Sequence, residues 1–342
     1  VKEILVMRFS AIGDILLTTP LLTALKAQYP EARLTFLVKA QHKAFISACP
    51  QVDRIVEWNK NDTLWQVRKK LADVSRYDLI ADLQSNLKSR VLSLLVGANE
   101  KRRYRKPYLN RILLVWLKKN RYHEKLRVTD RYFAALEGLL EKPVNPMVSL
   151  SRAKLPKALE KFVASPTTLI APGARWMTKR WPAEYFASLA SKILEKLPGQ
   201  RIVWLGGPDE AETFTFLREH PYLKRHAKRM VFLQAELSVA QMAELADRVK
   251  VIVANDSGLM HLLSAAKTPL VALFLSTVEE FGFFPLGGNA EVLSARDIEC
   301  RPCNHKGLAA CPKLHFRCGR ELTADQVYGT VAAHLQLHTD ES

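Results

Sequence analysis

A regular alternation of short apolar runs with amphipathic stretches constrains this chain more than any other feature. In the first half, residues 4–9, 34–38, 54–58 and 79–83 have the length and apolar content of buried strands. Residues 16–29, 63–75, 110–119 and 130–141 have helical spacing instead. The second half repeats the rhythm, with strand-like runs at 168–171, 202–205, 231–233, 251–254 and 270–274. Its helical stretches fall at 182–196, 238–248, 257–266 and 324–337. A strand buried on both faces reads as an unbroken apolar run, and parallel neighbours need a crossover, usually a helix, between them. The pattern predicts an α/β protein built on parallel sheets covered by helices.

At 342 residues the chain is long for one hydrophobic core, and length alone suggests two domains. Residues 142–166 carry prolines at 143, 146, 156 and 166 and few other landmarks, so the hinge is placed at 150–165. The expectation is two Rossmann-like domains, residues 1–155 and 156–322, with parallel sheets facing a central cleft. Such an arrangement suits an enzyme with two substrates. Hydrophobic content of 48% and charged content of 25% are those of an ordinary soluble protein. The longest apolar runs, such as residues 270–275, fall far short of the ~20 residues a membrane span requires. The N-terminal apolar residues belong to a strand interrupted by Arg8 and Asp14, not to a signal-type core, so a cytoplasmic location is expected.

The formal charge of +17 calls for a partner, and it is unevenly spread. Residues 101–131 hold twelve Lys or Arg against two acids, Glu124 and Asp130, for a net +10. Lys101, Arg102, Arg103 and Arg105 open this window, and Tyr104, Tyr108, Leu109 and the apolar residues 112–116 lie inside it. An apolar helix in a basic setting suits a polyanionic, lipid-linked acceptor or an anionic membrane surface. A solvated basic face beside a core-facing helix gives the same pattern, so both readings stand. Nucleic acid is disfavoured, because no RRM signature, zinc-finger spacing or helix-turn-helix is evident.

Several function classes lose their main support. No GxGxxG occurs, which weakens a dinucleotide-dependent oxidoreductase, and no GxxxxGK[ST] occurs, which removes a simple P-loop enzyme. No Asp-x-Asp pair is present to hold a diphosphate through a metal. Diphosphate binding would have to come from Lys, Arg and helix amides.

Three segments carry candidate chemistry. In the first, the run at 4–7 leads directly into Arg8-Phe9-Ser10-Ala11-Ile12-Gly13-Asp14. Open α/β sheets bind ligands at the carboxyl ends of their strands, where Asp14 would stand. Asp14 is therefore a candidate general base, although an aspartate there can equally cap a helix or favour its dipole. Gly13 reads as a tight turn that lets a substrate approach the backbone, and Ser10 as a bond to acceptor or loop. In the second segment, residues 171–182, Thr178, Lys179 and Arg180 precede a helix opened by Pro182. A hydroxyl, an ammonium and a guanidinium at that point suit a diphosphate, while a solvated loop anchored by Trp181 is the plainer reading. In the third, Asn255-Asp256-Ser257-Gly258-Leu259-Met260-His261 follows a buried strand, with Ser257 as N-cap. His261 would lie one helical turn on, facing the same crevice or satisfied in the core. After the run at 202–205 come Gly206, Gly207, Asp209 and Glu210.

Taken together, these segments resemble the heptosyltransferases, the glycosyltransferases that add heptose to the lipopolysaccharide inner core. The resemblance covers nearly the whole chain, with the three motifs in the family's order. It implies a GT-B architecture and an inverting, metal-independent transfer with no cofactor for catalysis. The implied donor is ADP-L-glycero-D-manno-heptose and the implied acceptor a Kdo/heptose-lipid A core. The family's catalytic aspartate falls on Asp14, and the Thr-Lys pair that contacts the donor phosphates falls on Thr178 and Lys179, with Arg180 in support. Asp256, Ser257, Gly258 and His261 match the segment that lines the donor site, and Gly206, Gly207 and either Asp209 or Glu210 lie where an adenosine ribose contact is expected, although an acid opening a helix is ordinary. Ser10, Gly13, Lys101, Arg102, Arg103 and Arg105 would serve the anionic acceptor at the cytoplasmic face of the inner membrane. The final helix, within 323–342, would pack back onto the first domain, as is usual for this architecture. The alternatives are another GT-B sugar-nucleotide enzyme with a different donor, a 2-epimerase of that architecture, or a non-catalytic anionic-lipid or nucleic-acid binding protein.

The cysteines are a separate signal. Cys300, Cys303, Cys311 and Cys318 fall within 19 residues, with Cys49 alone in the first half. In a cytosolic protein this spacing reads more readily as a structural zinc or iron clip than as disulfides, with His305 and His315 as substitute ligands. Free thiols are the competing reading.

Overall fold

The computed structural model describes residues 1–122 and 126–337; Glu124 of the basic window and the last five residues lie outside them. The chain forms two compact units, one of residues 1–110 and 122–151, the other of residues 111–121 and 152–342.

In the first unit, strands β1 (Glu3–Met7), β2 (Arg33–Lys39), β3 (Arg54–Trp58), β4 (Tyr77–Asp82) and β5 (Ala98–Arg103) form one sheet. All pairings are parallel and the order is β3-β2-β1-β4-β5. β1 is central, and its Ile4, Leu5, Val6 and Met7 are fully buried. One face is closed by Leu92 of helix Leu87–Leu95 and by Val67 and Leu71 of helix Leu64–Leu71, packed on Leu5, Met7 and Ile80. Each such side chain contributes about 1.5–3 kcal/mol by leaving water. Thr63 starts the second of these helices by accepting from Gln66 N–H, and the Gln66 side chain accepts from Thr63 N–H in return.

The second unit holds β6 (Thr167–Ala171), β7 (Arg201–Gly206), β8 (Met230–Gln234), β9 (Val251–Asn255), β10 (Leu270–Leu273) and β11 (Ala290–Leu293). These are also parallel, in the order β11-β10-β9-β6-β7-β8. Its core includes Phe186 and Ile193 of helix Ala183–Lys196, Trp204 of β7, and Val327, Val331 and Leu335 of helix Ala324–Leu337. The last helix therefore contributes to the second unit's own core.

In both sheets the chain starts near the middle, runs outward on one side and then resumes on the other. The order reverses between β1 and β4 in the first sheet and between β6 and β9 in the second. Those are the switch points where loops part and leave a crevice beyond the strand ends. The loops concerned are the ones that carry Asp14, Thr178 to Arg180, and Asp256.

Two strands were not anticipated, and both are edges. β5 alternates exposed and half-buried residues and is mostly charged, so no apolar run marks it; β11 has only four residues. The expected helix at 16–29 is broken into Ile12–Leu16 and Thr19–Gln28. Thr18 and Thr19 hydroxyls donate to the carbonyls of Ile15 and Leu16, which ends the first helix. The chain leaves the first unit at Ser151, and residues 111–121 group with the second. There Lys118 Nζ donates to the carbonyls of Cys300 and Pro302.

Candidate active site

Asp14 is the third residue of the short helix Ile12–Leu16, which begins just beyond β1. Its Oδ2 accepts a long bond of 3.3 Å from Ala11 N–H, the reach-back of an acid at this helical position. Its Oδ1 lies 2.6 Å from Arg8 Nη2 and 3.5 Å from the Tyr132 hydroxyl. Asp14 thus caps its helix and also holds a charged partner. Its side chain keeps 19% exposure, against 6% for that of Arg8. A carboxylate offers about four lone-pair positions, so this pairing leaves room for an incoming hydroxyl.

Arg8, which the sequence pattern alone does not mark out, organises the site. Its second amino group donates to Leu83 O at 2.6 Å, so one planar fork ties the end of β1 to the loop after β4. Burial acts to lower the Arg8 pKa, but Asp14, Tyr132 and Tyr104 outweigh it and the value is raised. The guanidinium also faces the Tyr132 ring, 5.9 Å from its centroid. Phe9 N–H donates to Gln84 Oε1, a second tie between the same two loops. Gly13 lies inside the helix, so the expected tight turn is a helix start instead. Ser10 is half-buried just before it.

The basic residues of β5 do not act as one patch. Lys101 Nζ donates to Ser93 O, and Arg102 pairs with Glu100 at 2.6 Å. Arg103 Nε lies 3.2 Å from Asp82 Oδ2 at the end of β4. Asp82 is fully buried, and it also accepts from Ser89 Oγ and Ser85 N–H. Arg105, just beyond the strand, is exposed. Arg103 and Arg105 thus stand at and beyond the carboxyl end of β5, while Lys101 and Arg102 hold nearby chain.

In the second unit, Lys179 Nζ lies 2.6 Å from Asp256 Oδ2, with side-chain exposures of 14% and 4%. The same oxygen accepts from Thr277 Oγ1 at 2.5 Å. Asn255, at the end of β9, ties down both ends of the loop after β6, accepting from Trp181 N–H and donating to Pro172 O. Thr178 is buried, and its hydroxyl accepts from Leu308 N–H and from Ser276 Oγ. Arg180 Nε donates to Ala174 O. Ser257 caps the helix Gly258–Leu263 by accepting from Met260 N–H, as its motif predicts. His261 is only 2% exposed, with its ring 6.5 Å from that of Phe283.

Glu210 folds back toward the same loops. Its Oε2 accepts from Gly207 N–H at 2.6 Å, and a Cβ on Gly173 would collide with its carboxylate. Burial raises its pKa, opposed by the Gly207 N–H and Arg180 and reinforced by Asp209.

The four clustered cysteines are free thiols. Among the described residues, no group of three or more His, Cys, Asp or Glu is arranged to hold a metal ion. The four thiols expected to form a clip, Cys300, Cys303, Cys311 and Cys318, nonetheless lie near enough for their neighbours to raise the pKa of Cys303 and Cys318. Cys318 also packs in the apolar core of the second unit. Burial and the nearby Cys300 and Cys311 push the Cys303 thiol up to about 11.

Sugar transfer suits both halves of this geometry, with a base-type carboxylate in one unit and a lysine-bearing loop in the other. The fold is that of the GT-B-like glycosyltransferases. Residues 64–313 match the family described as glycosyltransferase family 9 (heptosyltransferase), and the chain belongs to that family. It is 27% identical over 328 residues to lipopolysaccharide heptosyltransferase 1 of Pseudomonas aeruginosa, covering 89% of this chain and 86% of that protein. The solved structure of Escherichia coli ADP-heptose LPS heptosyltransferase II superposes with a TM-score of 0.75 at 22% identity, over 98% of this chain and 99% of that one. The E. coli heptosyltransferase WaaC with ADP matches with a TM-score of 0.69 at 20% identity, over 97% and 99% of the two chains.

Proposed function

We propose that this glycosyltransferase moves L-glycero-D-manno-heptose from ADP-heptose to a lipopolysaccharide inner-core acceptor, with inversion and without a metal. The observation that carries the reading is Asp14, half out of solvent beyond the β1/β4 switch point and held by Arg8. The names of the similar proteins support the donor and the acceptor class. The acceptor hydroxyl attacks the anomeric carbon while that carbon's bond to the β-phosphate oxygen of ADP breaks. Asp14 takes the hydroxyl proton as the new bond forms, which a carboxylate does best when the proton is already being lost. Attack from the face opposite the leaving group inverts the anomeric centre. Lys179 exchanges Asp256 for the diphosphate and neutralises the charge that grows on it. Asp256 is then free to accept sugar hydroxyls, and Glu210 to accept from the ribose.

On this reading the first unit receives the acceptor and the second the nucleotide, with Ser10, Gly13, Arg103 and Arg105 on the acceptor side. Thr178 acts by fixing the loop that carries Lys179. The enzyme works in the cytoplasm. The test is transfer from ADP-heptose to Kdo-lipid A in the presence of EDTA, with the linkage read by NMR. Product of inverted configuration at an undiminished rate supports all three parts of the proposal. Loss of product with EDTA removes metal independence, retained configuration removes the single displacement, and turnover only with another nucleotide sugar removes the heptose donor.

A further inference from the structure

The helix Tyr108–Leu117 wears its apolar face outward. Leu114 is buried, yet Tyr108, Leu109, Ile112 and Trp116 are 55%, 62%, 55% and 79% exposed. At 3.6 residues per turn these four share one face, and Leu114 points the opposite way. Elsewhere the pattern is the usual one, as in helix Ala183–Lys196, which buries Phe186, Leu189, Ala190 and Ile193. A contiguous exposed face of large apolar side chains marks a surface that another phase covers.

The setting identifies that phase. Beyond β5, residues 104–122 contain six Lys or Arg and no acid, and Arg105, Lys119 and Arg121 are exposed on either side of the helix. A second copy of this surface would set cations against cations, which opposes self-association. A bilayer with anionic headgroups meets both demands, taking the apolar row into the acyl boundary and the cations at the headgroups. Tyr and Trp are the aromatic residues that settle at that boundary. Ten residues span about 15 Å, and no described helix is long and apolar enough to cross a membrane. The helix would therefore lie in the plane of the surface.

We propose that Tyr108–Leu117 is a docking helix for an anionic lipid surface. The inference rests on the reading that the acceptor is lipid-linked, since docking brings the enzyme to such an acceptor. Its test uses vesicles free of donor and acceptor, so it stands or falls apart from that reading. The full chain is sedimented with phosphatidylcholine vesicles with or without phosphatidylglycerol, at low and high salt. Binding is expected only with phosphatidylglycerol, falling as salt rises. The combined Leu109→Ser, Ile112→Ser and Trp116→Ser variant should lose at least about tenfold in partitioning, with its melting temperature and ADP affinity unchanged. Lys119→Gln should lose about fivefold. Equal binding by wild type and the triple variant, equal binding to both vesicle types, or no binding by wild type overturns the proposal. So does a lipid-free dimer that the triple variant breaks, which would assign the face to a second copy.

Discussion

Lys179 and Asp256 form a nearly buried ion pair, 2.6 Å between Nζ and Oδ2, that joins the loop after β6 to the loop after β9. It is satisfied without ligand, because Thr277 Oγ1 supplies Asp256 with a second donor. On the proposed reading a diphosphate must win Lys179 from Asp256, which makes the pair a built-in competitor for the donor. Lys179→Ala should weaken ADP binding at least about tenfold and also lower stability, because Asp256 is left with one neutral donor. Removing one partner of a buried pair costs about 3–5 kcal/mol at the upper end. The double variant Lys179→Ala, Asp256→Asn should regain much of that stability without regaining ADP affinity. Calorimetry with ADP and thermal melts on the two variants separate these roles, and full ADP affinity in Lys179→Ala would remove the lysine from the donor site.

The carboxylate of Asp14 and the fork of Arg8 predict different losses. Asp14→Asn keeps the shape and removes the base, so kcat should fall by about 10²–10⁴ with ADP affinity intact. Arg8→Lys keeps a charge but loses the planar fork whose two nitrogens reach Leu83 O and Asp14. Its kcat should fall less than that of Asp14→Asn, its KM for the acceptor should change little, and its melting temperature should drop. Wild-type turnover in Asp14→Asn would end the general-base assignment, and an unchanged kcat in Arg8→Lys would end the positioning role.

Much of this was legible because strands buried on both faces announce themselves as apolar runs, and the loops that follow them are where α/β sheets bind ligands. β1, β4, β6 and β9 were all visible in this way, and Asp14, Lys179 and Asp256 follow from them. The edges were not visible, since β5 is buried on neither face and reads as a charged segment. Partner choice was not visible either. That Arg8 would bridge to Leu83 O depends on β1 lying beside β4, a pairing of residues 75 positions apart. Thr178 shows the same limit, because its hydroxyl is taken by Leu308 N–H from a loop 130 residues on.

Glu210 predicts a pH dependence of stability. Burial raises its pKa above the usual 4.5, against the Gly207 N–H and Arg180. The folded state therefore binds more protons than the unfolded state just above pH 4.5. Its contribution is fully present below that value and is lost as pH rises through the folded-state value. Glu210→Gln keeps the acceptor for Gly207 and removes the charge, so its melting curve should flatten against pH and lie above wild type at neutral pH. The gain is at most about 1 kcal/mol after solvent screening, and ADP affinity should fall as the ribose loses a carboxylate. A steeper pH dependence in the variant would contradict the assignment.

The thiols make a prediction independent of catalysis. Cys303 is pushed up to about 11, chiefly by burial and then by Cys300 and Cys311, and Cys318 to about 12, again chiefly by burial. The thiolate is the species that alkylates, and a free cysteine has a pKa of about 8.5. At pH 8 these two side chains should react with iodoacetamide more than about a hundredfold slower than free cysteine. In denaturant, where burial is gone, both should react at the ordinary rate. Peptide mass spectrometry over a time course reads each site separately. Rapid labelling of Cys303 in the folded protein would contradict its raised pKa.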